Sequence, residues 1–390
     1  MSKKIFWEDA YNTKFNSKVI LFREKSILLE KTLFYPESGN QVSDRGYLEI
    51  DDHKFTVEKV TKEGEDILHH ISPDFKNKIN IGDEVRGEID WDYRYGIMKA
   101  HSSQHILSAI IKSKYNIDTI RANLNFEDVN LQLSQEISCN QLKEVLTEVN
   151  IICTSNNLKI NSKVLPRKEA EKLSEKIRSA IPNESQVRLM EIEGLDLVCC
   201  GGTHVKNTSE IGEIFIYDFK KGTDIKYFVG NKALLVRSNS NVDLITLVNR
   251  LNTPIEKLKG IIDKRLNYIE NVEEQQKELS IKLLELISKR PLKIINKVSL
   301  FYIDINVDIK LLSSMLNLFP KASVIIVMIE SNKLRILSSS EKIDANEILQ
   351  KLIKEYGGKG GGNPKSAQAY LEKIPKDLLS KIELLISNFI

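Results

Sequence analysis

His101-Ser102-Ser103-Gln104-His105 and Cys200-Gly201-Gly202-Thr203-His204 are the two stretches from which this 390-residue chain is best read. Histidines four apart on a helix stand on one face, one turn above each other, where both can reach one metal ion. Alone that spacing is common. Cys200 and His204 are also four apart, and Gly201 and Gly202 let the backbone turn tightly enough for both side chains to meet. Together His101, His105, Cys200 and His204 form an N₃S donor set, the composition of a tetrahedral zinc (Zn2+) site. Three of the six histidines in the chain fall in these two stretches. Cys199 reads as a small buried hydrophobe. Four protein ligands are usual for structural zinc, whereas hydrolytic zinc keeps a position for water, and the sequence leaves both open.

Working outward, Ile97, Ala100, Ile106, Leu107, Ile110 and Ile111 recur at helical spacing and predict a helix over 95–114. Upstream, strand-like runs at 19–22, 26–29, 31–35, 47–50, 54–57 and 82–91 alternate with turn residues, the pattern of a small barrel or sandwich over 1–92. Downstream, helices are expected at 139–150 and 167–180 and strands at 187–192 and 212–219, so 93–240 reads as an α+β domain. Residues 241–290 hold a long helix or coiled coil. Its heptad set is Ile255, Leu258, Ile262, Ile269, Val272, Leu279, Leu283 and Leu286, interrupted by Arg265 and Gln276. After Pro291 come strand 299–305, helix 308–318, strands 323–329 and 333–338, helix 346–355, a glycine run, and helix 375–390. That order suits a C-terminal α/β module over 291–390. The fold class is therefore multidomain α+β: small β-barrel, α+β zinc domain, long helix, C-terminal α/β module.

Composition sets limits. The net charge is +3, from 57 basic and 54 acidic residues, so nucleic-acid contact must come from local patches. Residues 251–390 hold 22 basic against 17 acidic residues, a net of +5. Four cysteines do not make a disulfide scaffold in a chain this long, which points to a reducing cytoplasm. No apolar run spans a membrane, the N-terminus lacks the apolar core of a secretory signal, and no phosphate-binding Gly-x-x-x-x-Gly-Lys-Ser/Thr loop occurs.

At the paired motifs the chain resembles the editing domain of alanyl-tRNA synthetase and its free-standing relatives, the AlaX-type deacylases. Thr32-Leu-Phe-Tyr-Pro-Glu-Ser-Gly39-Asn40-Gln41-Val-Ser-Asp44-Arg-Gly46 is similar to the family's N-terminal motif, with Asn40 where a second glycine is usual. Arg188–Asp196 resembles the strand leading to the cysteine motif. Gly357-Gly358-Lys359-Gly360-Gly361-Gly362 resembles the glycine motif of the C-terminal domain shared with DHH-type phosphoesterases. The likeness runs from about residue 20 to 370, in the domain order of the long AlaX form.

The resemblance implies an enzyme that does not charge tRNA but removes wrong amino acids from it. Its substrate would be tRNA(Ala) mischarged with serine or glycine, hydrolysed in trans at a zinc centre. A synthetase excludes these poorly by binding, because glycine fits any alanine pocket and an added hydroxyl is only weakly rejected. Thr32 is then the candidate contact for the serine hydroxyl, Gln104 for orienting water or ribose, and Gly201, Gly202 and Thr203 for backbone N–H groups near the ion. Gly39, Asn40 and Gln41 belong to the substrate side. Gly357–Gly362 with Lys359, flanked by Lys351, Lys354 and Lys365, would contact tRNA. A homodimer through the long helix or C-terminal domain is a further expectation. Two other readings stand beside it: threonyl-tRNA-type editing, and a tRNA-binding module with structural zinc and no turnover.

Overall fold

The computed structural model describes residues 2–23, 25–72, 79–304 and 308–389. Met1, Ile305 and Ile390, which fall at the ends of stretches read above, lie outside them. The chain divides into two compact units, Met1–Leu247 and Val248–Ile390, and it is a mixed α+β architecture containing a closed six-stranded barrel and a long helix.

The barrel comprises β1 (Lys14–Arg23), β2 (Ser26–Leu29), β3 (Gly46–Ile50), β4 (His53–Glu63), β5 (Asp66–Ser72) and β6 (Glu84–Ile89), closed in the order β1-β2-β5-β4-β3-β6. Side chains alternate in and out along each strand, and Leu48, Ile50, Phe55, Val57 and Ile67 fill the interior. Strand β5 escapes the sequence reading because His69-His70 interrupts its apolar run. His69 points inward and is fully buried. Its Nδ1 lies 3.0 Å from the Ile27 carbonyl, which can only accept, so Nδ1 carries the hydrogen. Nε2 then accepts from the Thr32 hydroxyl at 2.8 Å.

The loop between β2 and β3 is tied to the first long helix, α1 (Trp91–Tyr115), by a buried ion pair. Arg94 and Asp44 are both wholly buried. Arg94 Nε donates to Asp44 Oδ1 at 2.7 Å, and a second guanidinium nitrogen donates to Oδ2. Arg94 also donates to the Ala10 carbonyl at 3.0 Å and the Leu33 carbonyl at 2.6 Å. Asp44 accepts the Tyr35 N–H.

Helix α1 is buried almost all round from Gly96 to Ile111, so it forms a central element rather than an amphipathic surface helix. It packs with α2 (Cys139–Thr154), started by a Ser138–Gln141 capping box, and with a four-stranded antiparallel sheet. That sheet holds β7 (Thr119–Asn125), β8 (Asp128–Leu133), β12 (Ile214–Lys220) and β13 (Asp224–Val229), in the order β12-β13-β8-β7. A second sheet has the order β9-β10-β11: β9 (Ile160–Pro166), β10 (Gln186–Ile192), β11 (Asp196–Cys199).

The helix expected over 167–180 is corrected: α3 covers only Arg167–Glu171. Bonds to the neighbouring strand pull the chain out of the helix. The Arg178 N–H donates to the Leu197 carbonyl at 2.9 Å, the Ser179 hydroxyl accepts the Cys199 N–H at 2.8 Å, and Arg178 forks onto Asp196 at 2.8 and 2.7 Å. Ala170 and Ile177 are buried against Val187 and Leu189 instead of lying along one helix face.

Helix α4 (Gly230–Leu251) begins where both Glu127 carboxylate oxygens accept the N–H groups of Asn231 and Lys232. In the second unit, α5 (Leu258–Ser288) carries the heptad. Ile262, Ile269, Val272, Leu279, Leu283 and Leu286 are exposed, while Leu284 packs on Phe301 and Ile325. A six-stranded mixed sheet follows, in the order β14-β15-β16-β17-β19-β18: β14 (Lys293–Ile295), β15 (Val298–Ile303), β16 (Ser323–Glu330), β17 (Lys333–Ser338), β18 (Gly358–Asn363) and β19 (Ser366–Leu371). It is covered by α7 (Ala345–Tyr356) and α8 (Leu378–Ser387), with α6 (Ile309–Ser314) shorter than the helix expected over 308–318. The glycine run is an edge strand: a Cβ on Gly358, Gly360 or Gly362 would sit 2.1–2.3 Å from carbonyls of β19. No helix among the described residues is long and apolar enough to cross a membrane.

Two outcomes follow. Asp44→Ala leaves Arg94 charged and unpaired in the core, so urea denaturation should show a loss of about 3–5 kcal/mol. Burial lowers the His69 pKa to about 4 against the usual value near 6.5. Between those values the unfolded chain takes up a proton that the folded chain refuses, so stability falls as pH drops through that window. The wild type should lose about 2–3 kcal/mol more than His69→Asn between pH 7 and 4.5.

Candidate metal centre and its cleft

The fold brings the four predicted ligands together. One nitrogen each from His101, His105 and His204 and the Cys200 sulfur all lie within 4.8 Å of one another. Cys200 Sγ is 3.4 Å from His101 Nε2 and 3.2 Å from His204 Nε2. Bond lengths of about 2.0–2.3 Å space tetrahedral donors roughly 3.3–3.8 Å apart, so the donors already sit near that spacing. Both ring nitrogens of His105 are buried without a hydrogen-bond partner among the described residues. Buried polar atoms are normally satisfied, and a metal ion bound to one of these nitrogens would account for the exception.

His101, His204 and the Cys200 loop are held by neighbours. His101 Nδ1 donates to Gln41 Oε1 at 2.7 Å, which turns Nε2 toward the cluster. The same Oε1 accepts the Thr203 N–H at 3.3 Å, and the Gln41 amide donates to the Thr203 hydroxyl at 3.1 Å. His204 Nδ1 lies 3.3 Å from the Ser102 hydroxyl, which accepts the Val205 N–H. Asp196, held by Arg178, lies 3.9 Å from His105 Nδ1. Arg188 donates to the Cys200 and Gly202 carbonyls at 2.9 and 2.8 Å and fixes the loop.

Desolvation holds the imidazoles in their neutral, metal-binding form. Burial, then the Arg188 charge, lowers His101 to about 3. Burial, then the neighbouring imidazole of His101, pushes His105 and His204 well below the ordinary value. Burial pushes the Cys200 thiol up, opposed by the Gly202 N–H and by Arg188.

Gly201 and Gly202 differ in what requires them. A Cβ on Gly202 would sit 2.2 Å from His101 Cε1 and 2.7 Å from Gln41 Oε1. A Cβ on Gly201 would meet only Trp7, at 3.7 Å. The Gly202 N–H faces Cys200 Sγ at 3.5 Å and the Thr203 N–H is taken by Gln41, whereas Gly201 is exposed.

A cleft of about 480 Å³ opens beside the cluster and is lined by His101, Gln104, His105, Cys200, Gly39 and Asn40. Gln104 is buried and donates to Ser108 at 2.8 Å, rather than facing solvent. Gly39 and Asn40 both take positive φ, 56° and 67°. Asparagine tolerates that conformation better than other side chains, which explains how it replaces the usual glycine. Thr32 does not line this cleft. It is fully buried in the barrel, its hydroxyl donating to His69 and accepting the Phe34 N–H at 3.0 Å. Gly357 through Gly362 lie in the other unit, with Lys359 exposed on the edge strand. Ser102 and Arg178 were not singled out in the sequence. The signal available for Arg188 and Asp196 was charge within or beside an otherwise apolar strand.

The comparisons with known proteins fit this geometry. Three family models match in turn: "tRNA synthetases class II (A)" over residues 3–93, "Threonyl and Alanyl tRNA synthetase second additional domain" over 187–226, and the "DHHA1 domain" over 298–389. Alanyl-tRNA editing protein AlaX-M of Methanosarcina acetivorans is 35% identical over 227 residues, which cover 92% of that protein and 55% of this chain. The chain belongs to the alanyl-tRNA editing protein family. Within it, AlaX-L of Pyrococcus horikoshii is 28% identical and matches 97% of this chain and 96% of its own length. Alanine–tRNA ligase of Ignicoccus hospitalis is also 28% identical over 98% of this chain, which spans only 43% of the ligase.

The glycine pair of this editing-family cleft separates two requirements. Gly202→Ala should weaken metal-ion affinity about 10–100-fold in a competitive chelator titration, because it displaces His101. Gly201→Ala should leave that affinity unchanged.

Proposed function

We propose that the chain hydrolyses the ester joining serine, or glycine, to tRNA(Ala), acting in trans on charged tRNA in the cytoplasm. The observation that carries this is the donor cluster lying open to a cleft, with His101, His105 and Cys200 on the cleft wall. The family relationship supplies the substrate class: a relative named alanyl-tRNA editing protein AlaX-L matches 97% of the chain. Three imidazoles and a thiolate suit zinc by ligand softness. Bound there, zinc supplies a Lewis acid beside the ester.

The residues of the chain do the rest. Gln41 and Ser102 hold His101 and His204 in register, and Arg188 holds the Cys200–Gly202 loop rigid. Such preorganisation is what stabilises developing charge without reorganisation. Gly201, exposed beside Cys200, offers its N–H to the oxyanion of the tetrahedral intermediate. Gln104, fixed through its amide by Ser108, presents its carbonyl oxygen to the attacking water or the ribose. Serine discrimination belongs to groups on the cleft wall, which Thr32, wholly buried, does not line. The exposed Lys359 strand contacts the tRNA backbone, and the exposed heptad of α5 pairs with a second copy of the chain, which sedimentation checks.

Purified protein should deacylate seryl- and glycyl-tRNA(Ala) and spare alanyl-tRNA(Ala). Cys200→Ala should lose about 100-fold or more of that activity while keeping its circular dichroism spectrum. Unfolding of Cys200→Ala, with tRNA binding but no turnover in the wild type, would assign the cluster a structural role.

A further inference from the structure

We infer that Trp7 is the platform on which the terminal adenine of the substrate stacks, with Lys4 beside it for the adjoining phosphate. This rests on the hydrolase reading above. Any enzyme that cleaves an aminoacyl ester on tRNA must seat the last nucleotide, whose base lies one sugar ring from the reacting carbonyl. An aromatic face is therefore needed beside the metal cluster, and Trp7 is in that place.

Trp7 ends the short 3₁₀ turn Ile5–Trp7 and lines the cleft together with His101, His105, Cys200 and Gly201. Its neighbour Phe6 is buried in the barrel core, whereas Trp7 is only half-buried. The indole Nε1–H donates to the Gly201 carbonyl at 2.8 Å, which fixes the ring one residue from Cys200. Lys4 Nζ stands over the ring, 4.9 Å from its centre, and is ion-paired with Glu65 at 3.0 Å.

The second observation is Gly201 itself. Its backbone does not adopt the left-handed region, and a Cβ there would meet only Trp7 Cζ2, at 3.7 Å. Among the described residues nothing requires glycine at this position, unlike Gly202. The missing side chain leaves space against the indole, next to the ligand Cys200, that a bound nucleoside fills. An indole beside a tethered ammonium is the pairing that single-stranded nucleic acid favours, stacking for the base and charge for the backbone.

Two readouts test the platform. Trp91→Phe leaves Trp7 as the sole tryptophan, since the chain has two. In that protein adenosine 5′-monophosphate, and the amide analogue 3′-deoxy-3′-(serylamino)adenosine, should quench fluorescence saturably. In steady-state deacylation of seryl-tRNA(Ala), Trp7→Ala should raise KM about tenfold with kcat little changed. Trp7→Phe keeps an aromatic face but loses the Gly201 bond, and should stay near the wild type. An unchanged KM in Trp7→Ala, or Trp7→Phe as impaired as Trp7→Ala, overturns the platform. The two readings also separate. Quenching by adenosine 5′-monophosphate without wild-type hydrolysis keeps the platform and removes the hydrolase. Hydrolysis with no quenching and no change in KM keeps the hydrolase and removes the platform.

Discussion

The buried pair of Arg94 and Asp44 is the joint on which the first unit depends. Asp44 belongs to the loop that leaves the barrel after Thr32, and Arg94 is in the first turn of the central helix. Two charges removed from water are tolerable only when paired and hydrogen-bonded. Arg94 places four of its five N–H donors, on Asp44, Ala10 and Leu33. The consequence is geometric. Residues 94, 98, 101 and 105 follow the three- and four-residue steps of one helix face, so fixing Arg94 fixes where His101 and His105 point. The same loop then delivers Gln41 to His101 Nδ1. A barrel that holds none of the metal ligands thus sets the orientation of one of them.

What was legible in the sequence was whatever local spacing encodes. The four ligands come in two pairs four residues apart, and each pair is positioned by its own backbone, so only the meeting of the pairs needed the fold. Barrel strands showed through alternation, and the long helix through its heptad. Strand β5 did not, because His69 is an inward-facing imidazole satisfied by Ile27 and Thr32 rather than an apolar side chain. The 167–180 segment carries helical spacing, but Arg178 and Ser179 gain more from bonding to β11 than from another helical turn. The glycine run has no side-chain pattern, yet it pairs as a strand because nothing projects between it and β19. Roles implied by the resemblance need the fold to place them: the Thr32 hydroxyl meets its partner, His69, 37 residues further along the chain.

Asn40 shows how a departure from the usual motif is absorbed. The residue that follows Gly39 must take a positive φ, and its carbonyl accepts the Leu124 N–H at 2.9 Å, which docks the loop on β7. The requirement is conformational, and asparagine meets it at small penalty. Asn40 itself lines the cleft, next to Gly39.

The electrostatics of the cluster follow from burial more than from nearby charge. Desolvation disfavours any ionised form, and here it leaves three neutral imidazoles and a thiol whose ionisation is opposed. Neutral imidazoles are the ligating form, whereas the thiol must lose its proton to bind metal. Arg188 bears on both, lowering His101 and easing the ionisation of Cys200, while its hydrogen bonds brace the loop between them. Asp196 does not compete as a ligand, because Arg178 takes both of its oxygens. One arginine thus favours the thiolate and the other keeps the nearest carboxylate occupied. The four residues that meet within reach of one ion are three imidazoles and a thiol.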